Sequence, residues 1–342
     1  MVTVRAAGPC AGFRYADTVV AMTTVLMARD LVKTFGAARA LDGLSLDVSA
    51  GEIHGFLGPN GSGKTVTMRI MLGLLRPDSG TVEVFGNNPW THAVELHRRM
   101  AYVPGDTNLW PNLTGGETLD LLAGVHTGVD LTRRADLIER FALDPRKKAR
   151  SYSKGNRQKV ALIAALSTDA ELFILDEPTA GLDPLMEAVF RELVVELRDQ
   201  GKAVLLSSHV LAEAEKLCDR VTIIRDGTTV QHGTLDELRH LTRTTISAEL
   251  ASPPNDMASL RWVHALRAVD SRLTFEVDSD RLDDAMTLLA AHGLRSLTAH
   301  PPTLEELFMR QYGRRATTSD SLADSLAEPA PPSASDGGVQ TT

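Results

Sequence analysis

A chain of 342 residues, 43% apolar and 23% charged, is long enough to bury the core of one large α/β domain and a smaller second one. Its net charge of −8 excludes the basic footprint of a general nucleic-acid binder. Two cysteines far apart in sequence, Cys10 and Cys218, offer neither a disulfide framework nor a cysteine metal cluster and suit a reducing compartment.

Residues 1–21 carry no clear period, and Ala16-Asp17-Thr18-Val19-Val20 is too short and interrupted for a secretory apolar region. Met22-Thr23-Thr24-Val25 reads as a natural start, so residues 1–21 are expected to be a disordered extension or a mis-called start. No stretch approaches the roughly 18–20 apolar residues of a membrane span. From Val25 onward, apolar strands at 44–48, 52–57 and 81–85 alternate with turns.

Between the second and third of these strands stands Gly58-Pro59-Asn60-Gly61-Ser62-Gly63-Lys64-Thr65. This is G-x-x-x-x-G-K-[ST], a phosphate-binding P-loop. Its glycines let backbone N–H groups close on an oxyanion, and the helix that follows aims its positive end at the same phosphates. Lys64 can reach the β- and γ-phosphates, and the Thr65 hydroxyl can ligate the Mg²⁺ that accompanies ATP.

Residues 113–166 read as helical. Within them Ser151-Tyr152-Ser153-Lys154-Gly155-Asn156-Arg157 precedes an apolar helical pattern (Val160, Leu162, Ile163, Leu166). Ser153, Gly155 and the N–H groups after them could form a second anion-binding helix start, although alone this is an ordinary cap with a basic first turn. Leu172-Phe173-Ile174-Leu175 then reads as a strand buried on both faces and ends in Asp176 and Glu177, where open α/β sheets bind ligands. Asp176 suits a Mg²⁺ shell and Glu177 a general base toward water. Thr179, Ala180-Gly181-Leu182-Asp183 and a helix over 185–197 follow. A second apolar run, Leu205-Leu206-Ser207-Ser208, ends in His209, which can point into the same crevice. Residues 220–225 and 228–231 read as strands about an Asp226-Gly227 hairpin turn, and a helix starts within 233–238.

After about residue 241 the pattern changes. Strands at 244–250 and 273–277 and a helical face of Leu282, Ala285, Met286 and Leu289 read as a small α+β domain. Thr303-Leu304-Glu305-Glu306 is a capping-box sequence opening a helix with Leu307 and Phe308 inside. Residues 315–342, rich in Ser, Ala, Pro and Asp, read as disordered.

These motifs, in this order over about residues 27–235, resemble the nucleotide-binding subunit of the ATP-binding cassette (ABC) transporters. The resemblance implies a P-loop NTPase (RecA-like) α/β core with antiparallel β and helical subdomains, over residues 22–241. A C-terminal accessory α+β domain would cover 242–314. It makes Lys64, Glu177 and His209 catalytic and assigns Thr65 and Asp176 to Mg²⁺. It gives Gly58, Pro59, Asn60, Gly61, Ser62, Gly63, Lys64 and Thr65 to the ATP phosphates and Phe35 to the adenine. Ser153, Gly155 and Asn156 become the signature and Asp183 part of the D-loop, both facing ATP on a second copy. The implied partners are that second copy and an integral-membrane permease, with the chain held at the cytoplasmic side of the membrane through the permease.

Two departures from the family stand out. Tyr102-Val103-Pro104 is followed by Gly105 where the family has glutamine, and Lys154 replaces a signature glycine. Lysine there, with the Pro111-Asn112-Leu113-Thr114-Gly115 run, is similar to ABC-2-type exporters of drugs and antibiotics. Glycine at 105 implies that Thr65 and Asp176 are the only direct protein ligands to the metal. An ABC ATPase acting on ribosomes or chromosomes is disfavoured by the single P-loop and by Ser153 lying only 89 residues after Lys64. A non-catalytic nucleotide sensor is disfavoured by Glu177 and His209.

Overall fold

The computed structural model describes residues 23–125, 128–240, 243–252, 257–278 and 281–300, together with 254, 303 and 305. The expected tails at 1–21 and 315–342, Cys10, and residues 304 and 306–308 of the expected C-terminal helix lie outside the described residues. In chain order the elements are β1 (Thr24–Phe35), β2 (Ala38–Ser49), β3 (Ile53–Leu57), α1 (Lys64–Met71), β4 (Ser79–Val84), α2 (Ala93–His97) and β5 (Met100–Val103). Then come α3 (Gly115–Val125), α4 (Leu131–Arg140), α5 (Lys154–Leu166), β6 (Leu172–Asp176), α6 (Pro184–Asp199), β7 (Ala203–Ser208) and α7 (Leu211–Leu217). The last are β8 (Arg220–Arg225), β9 (Thr228–Thr234), α8 (Leu235–His240), β10 (Arg243–Leu250), β11 (Val263–Val269), β12 (Arg272–Asp278), α9 (Leu282–Ala291) and β13 (Leu294–His300).

Every residue of β3, β6 and β7 is buried, so none of these strands alternates, and β6 reads as an apolar run up to Asp176 and β7 as one up to Leu206. They form the middle of a six-stranded sheet ordered β5-β6-β7-β3-β8-β9. All its pairs are parallel except β8 with β9, joined by the expected turn with φ 49° at Asp226 and 74° at Gly227. Those two left-handed residues match the twist of a two-residue hairpin. The parallel register sets the carboxyl ends of β3, β6 and β7 side by side, pairing Leu57 with Ser208 and Asp176 with Ser207.

Two apolar cores flank this sheet. One lies between it and the antiparallel sheet β2-β1-β4, filled by Leu26, Leu44, Val84, Phe56, Met68 and Leu205. The other lies under the helices, where Val160, Ile163 and Leu166 of α5 and Phe190, Val194 and Leu197 of α6 meet Phe173 and Leu206. Helix α6 starts sharply because Asp183 accepts from the N–H groups of Leu185 and Met186 and Pro184 occupies the first turn. Among the described residues, no helix is long and apolar enough to cross a membrane.

Strands β10 to β13 form a separate antiparallel sheet ordered β11-β12-β10-β13. Ile246, Ala248, Leu250, Leu273, Phe275 and Val277 make its own core, closed by Ala285 and Leu289 of α9. The edge strands β11 and β13 were not expected. Neither has a clean apolar alternation, and β11 is broken by a bulge with Ala265 at φ 49°.

Candidate nucleotide site

The chain leaves β3 and turns through Gly58–Gly63 into α1. A Cβ on Gly58 would stand 2.3 Å from the Ile224 carbonyl oxygen, so no side chain fits there. Its N–H donates to the Ser208 carbonyl at 3.3 Å, tying the loop to the end of β7. Gly63 has φ 107° and caps α1 with no side-chain hydrogen bond. No acidic residue occupies the first turn, so the opening N–H groups and the helix dipole are left for an anion. Ser62 Oγ is buried in this loop with no hydrogen-bond partner. Asn60 is exposed, and the Pro59 carbonyl accepts from Ser62 N–H. An orphaned hydroxyl inside an N–H-lined turn fits a phosphate group.

Lys64 is buried at the base of the loop. Its Nζ donates to the carbonyls of Gly58 (2.7 Å) and Pro59 (3.1 Å) and stands 3.8 Å from Glu177 Oε1. Burial lowers the ammonium pKa, and the charges of Glu177 and Asp176 oppose that shift. The group therefore sits where further negative charge would stabilise it.

Asp176 ends β6, and both its oxygens are engaged. Oδ2 accepts from Thr65 Oγ1 at 2.9 Å, and Oδ1 accepts from Ser207 Oγ at 2.6 Å. Thr65 and Asp176 thus bring hard oxygen donors to one point, a set suited to Mg²⁺. Glu177 lies just beyond the strand with φ 46°, a left-handed conformation rare for a residue with a Cβ. The Ser207 hydroxyl holds it by accepting from the Glu177 N–H at 2.9 Å. The turn points the carboxylate into the crevice, where Oε1 is 3.3 Å from Nδ1 of the half-exposed His209. Lys64, Glu177 and His209 thus form a chain of contacts across the carboxyl ends of three neighbouring strands.

Gly105 lies directly over this cluster. A Cβ there would be 3.2 Å from the Asp176 carbonyl oxygen and 3.6 Å from its carboxyl carbon. Tyr102, just upstream, has its phenol pushed up to about 12 by burial and then by the Asp176 charge, so it stays neutral. Phe35 is half-exposed at the tip of the β1–β2 hairpin, with Lys33 Nζ 5.6 Å from its ring centre. The same hairpin borders the P-loop, since a Cβ on Gly63 would meet Leu41 and the Ala40 carbonyl.

The remaining expected site residues stay outside this cluster. Ser153 is exposed and caps α5 by accepting from Asn156 N–H at 3.3 Å. Gly155 is buried, and a Cβ on it would strike the Gly181 carbonyl oxygen at 2.3 Å. Asp183 is exposed and serves as the cap of α6. Among the described residues, no hydrogen bond joins these side chains to Lys64, Thr65, Asp176, Glu177 or His209. Sequence reading missed Ser207, whose importance arises from the Asp176–Ser207 register. A serine near the end of an apolar run was the available signal.

A family model described as "ABC transporter" matches residues 41–180. The daunorubicin resistance ATP-binding protein DrrA3 of Streptomyces coeruleorubidus is 36% identical over 295 residues, covering 82% of this chain and 93% of its own. The daunorubicin/doxorubicin resistance ATP-binding protein DrrA of Streptomyces peucetius is 34% identical over 325 residues, covering 90% and 97%. A solved ATP-binding subunit of an ABC transporter superposes with a TM-score of 0.60 at 32% identity, covering 64% of this chain and 93% of that one.

Proposed function

The chain belongs to the ABC transporter family, whose ATP-binding subunits hydrolyse ATP to drive transport, and on that premise we propose how its residues divide the reaction. The observation that carries the reading is the convergence of Lys64, Thr65, Asp176, Glu177 and His209 on one crevice beside the P-loop. The N–H groups of residues 58–65 and Lys64 bind the β- and γ-phosphates, and Phe35 stacks on the adenine. Thr65 and Asp176 would hold Mg²⁺, which when bound would supply positive charge against that developing on the phosphates. Glu177 takes the proton from the attacking water. His209 orients the Glu177 carboxylate and, standing outside the P-loop, reaches toward the γ-phosphate.

The start of α5, where Ser153 is exposed, Asn156 half-buried and Gly155 supplies backbone between them, closes over ATP held by a second copy, and Asp183 lies at that seam. A two-fold homodimer then builds two equivalent sites. Glu177→Gln is expected to keep ATP affinity and lose turnover by about 10²–10⁴-fold. Wild-type turnover in that variant would remove Glu177 from the chemistry.

We propose that the cargo is a drug such as daunorubicin, exported through a separate permease. The names of the daunorubicin resistance relatives, which cover 82% and 90% of the chain, support this reading. Cells expressing the chain with its permease are expected to retain less daunorubicin fluorescence than cells carrying Glu177→Gln. Equal retention would reject this cargo.

A further inference from the structure

Gln158 lies one turn into the apolar side of α5, a place where an amide has no packing advantage over leucine. It is 1% exposed, yet both ends of its amide are occupied. Nε2 donates to the Pro178 carbonyl at 3.3 Å, and Oε1 accepts from the buried Thr107 hydroxyl at 2.7 Å. The orientation is forced, because a carbonyl can only accept, so the NH₂ must face Pro178 and the oxygen must face Thr107. The two partners belong to different segments. Pro178 immediately follows Glu177. Thr107 belongs to the loop that sets Gly105 against Asp176.

We infer that Gln158 is a positioning residue that keeps the turn after Glu177 in register with the loop over Asp176. It touches neither acid. It acts by fixing the backbone on both sides of them from one rigid helix. The same helix meets the same turn a second time, where Gly155 packs under the Gly181 carbonyl. Shifting either segment would break one end of the amide and leave buried polar atoms unpaired, so the two move together or not at all. The register matters because a small misplacement of a reacting carboxylate lowers turnover without removing the binding contacts of the P-loop. The inference rests on the proposed roles of Asp176 and Glu177.

The test uses the full chain, with Gln158→Leu, Thr107→Val, the double variant and Glu177→Gln assayed side by side. ATPase kcat and KM are measured with Mg²⁺, and trinitrophenyl-ATP affinity by fluorescence. Gln158→Leu is expected to lower kcat by about 10–100-fold, with KM and analogue affinity changed less than about threefold. Thr107→Val should move kcat in the same direction by less, and the double variant should match Gln158→Leu alone. Unchanged kcat in Gln158→Leu, or losses that multiply in the double variant, overturns the inference. So does a loss of analogue affinity as large as the loss of kcat, which marks general damage. If Gln158→Leu does not fold, Thr107→Val decides: lowered kcat at preserved affinity supports the link, and unchanged kcat overturns it. If Glu177→Gln keeps turnover, the base assignment itself has failed. If Glu177→Gln is inactive and Gln158→Leu is not impaired, only the Gln158 role has failed.

Discussion

Asp176 and Glu177 are adjacent in the chain, and the backbone between them gives them different surroundings. Asp176 ends a buried strand, with Thr65 and Ser207 on its two oxygens. Glu177, at φ 46°, is turned toward Lys64 and His209. Ser207 touches both residues through one hydroxyl, which makes it the residue on which this division depends. Ser207→Ala leaves the Glu177 N–H without its partner and frees one Asp176 oxygen to rotate. Denaturant titration is expected to show a loss of about 1–3 kcal/mol for an orphaned buried group. Turnover should fall by about tenfold or more as the carboxylates lose their fixed positions, with KM for ATP little changed. A variant less stable by that amount but with full kcat would reduce Ser207 to a packing role. Motif reading located the acids, the lysine and the histidine, because each residue type carries its chemistry on its face. It passed over Ser207 because a hydroxyl's role here is set by a strand register joining residues 31 apart.

The hairpin of β1 and β2 shows how an element presents a side chain. Phe35 is at its tip, and the two preceding residues are anchored to Asp78. The Asp78 carboxylate accepts from Lys33 Nζ at 2.7 Å, Thr34 N–H at 2.7 Å and Thr34 Oγ1 at 2.6 Å. These bonds, led by Lys33, pull its pKa from the ordinary 3.8 to about 2. A depressed carboxylate pKa means the anchoring is fully present above the unfolded value and is lost as pH falls through about 2. It is therefore intact at neutral pH. Asp78→Asn should weaken ATP binding by loosening the tip that holds Phe35, while kcat at saturating ATP stays near wild type. Calorimetry finding equal ATP affinity would separate Phe35 from the adenine. Elements with a strong apolar signature were legible in the sequence: β6 and β7 as apolar runs, β3 as a mostly apolar one, α5 and α6 by their stripes. Strands β11 and β13 were not, because edge strands bury too little to impose an alternation.

At the scale of the whole chain, the cluster around Glu177 is assembled within one copy, whereas exposed Ser153 and half-buried Asn156 stand apart at the start of α5, with Gly155 buried between them. Sequence order made this cassette recognisable, since five motifs fall in sequence between about residues 27 and 235. It could not show that the signature helix is braced against the acid turn of its own copy at Gly181 and Pro178, which is a matter of helix-to-loop packing. That bracing suits a mechanism in which the face presented to a second copy and the base in the first move as one body. The central claim is that two copies close around ATP. Light scattering of the full-length Glu177→Gln chain with saturating Mg²⁺ and ATP tests it most directly. The account predicts a particle of twice the 37.0 kDa of one chain, reverting to one chain when ATP is removed. A particle that stays at 37.0 kDa with ATP bound would contradict it.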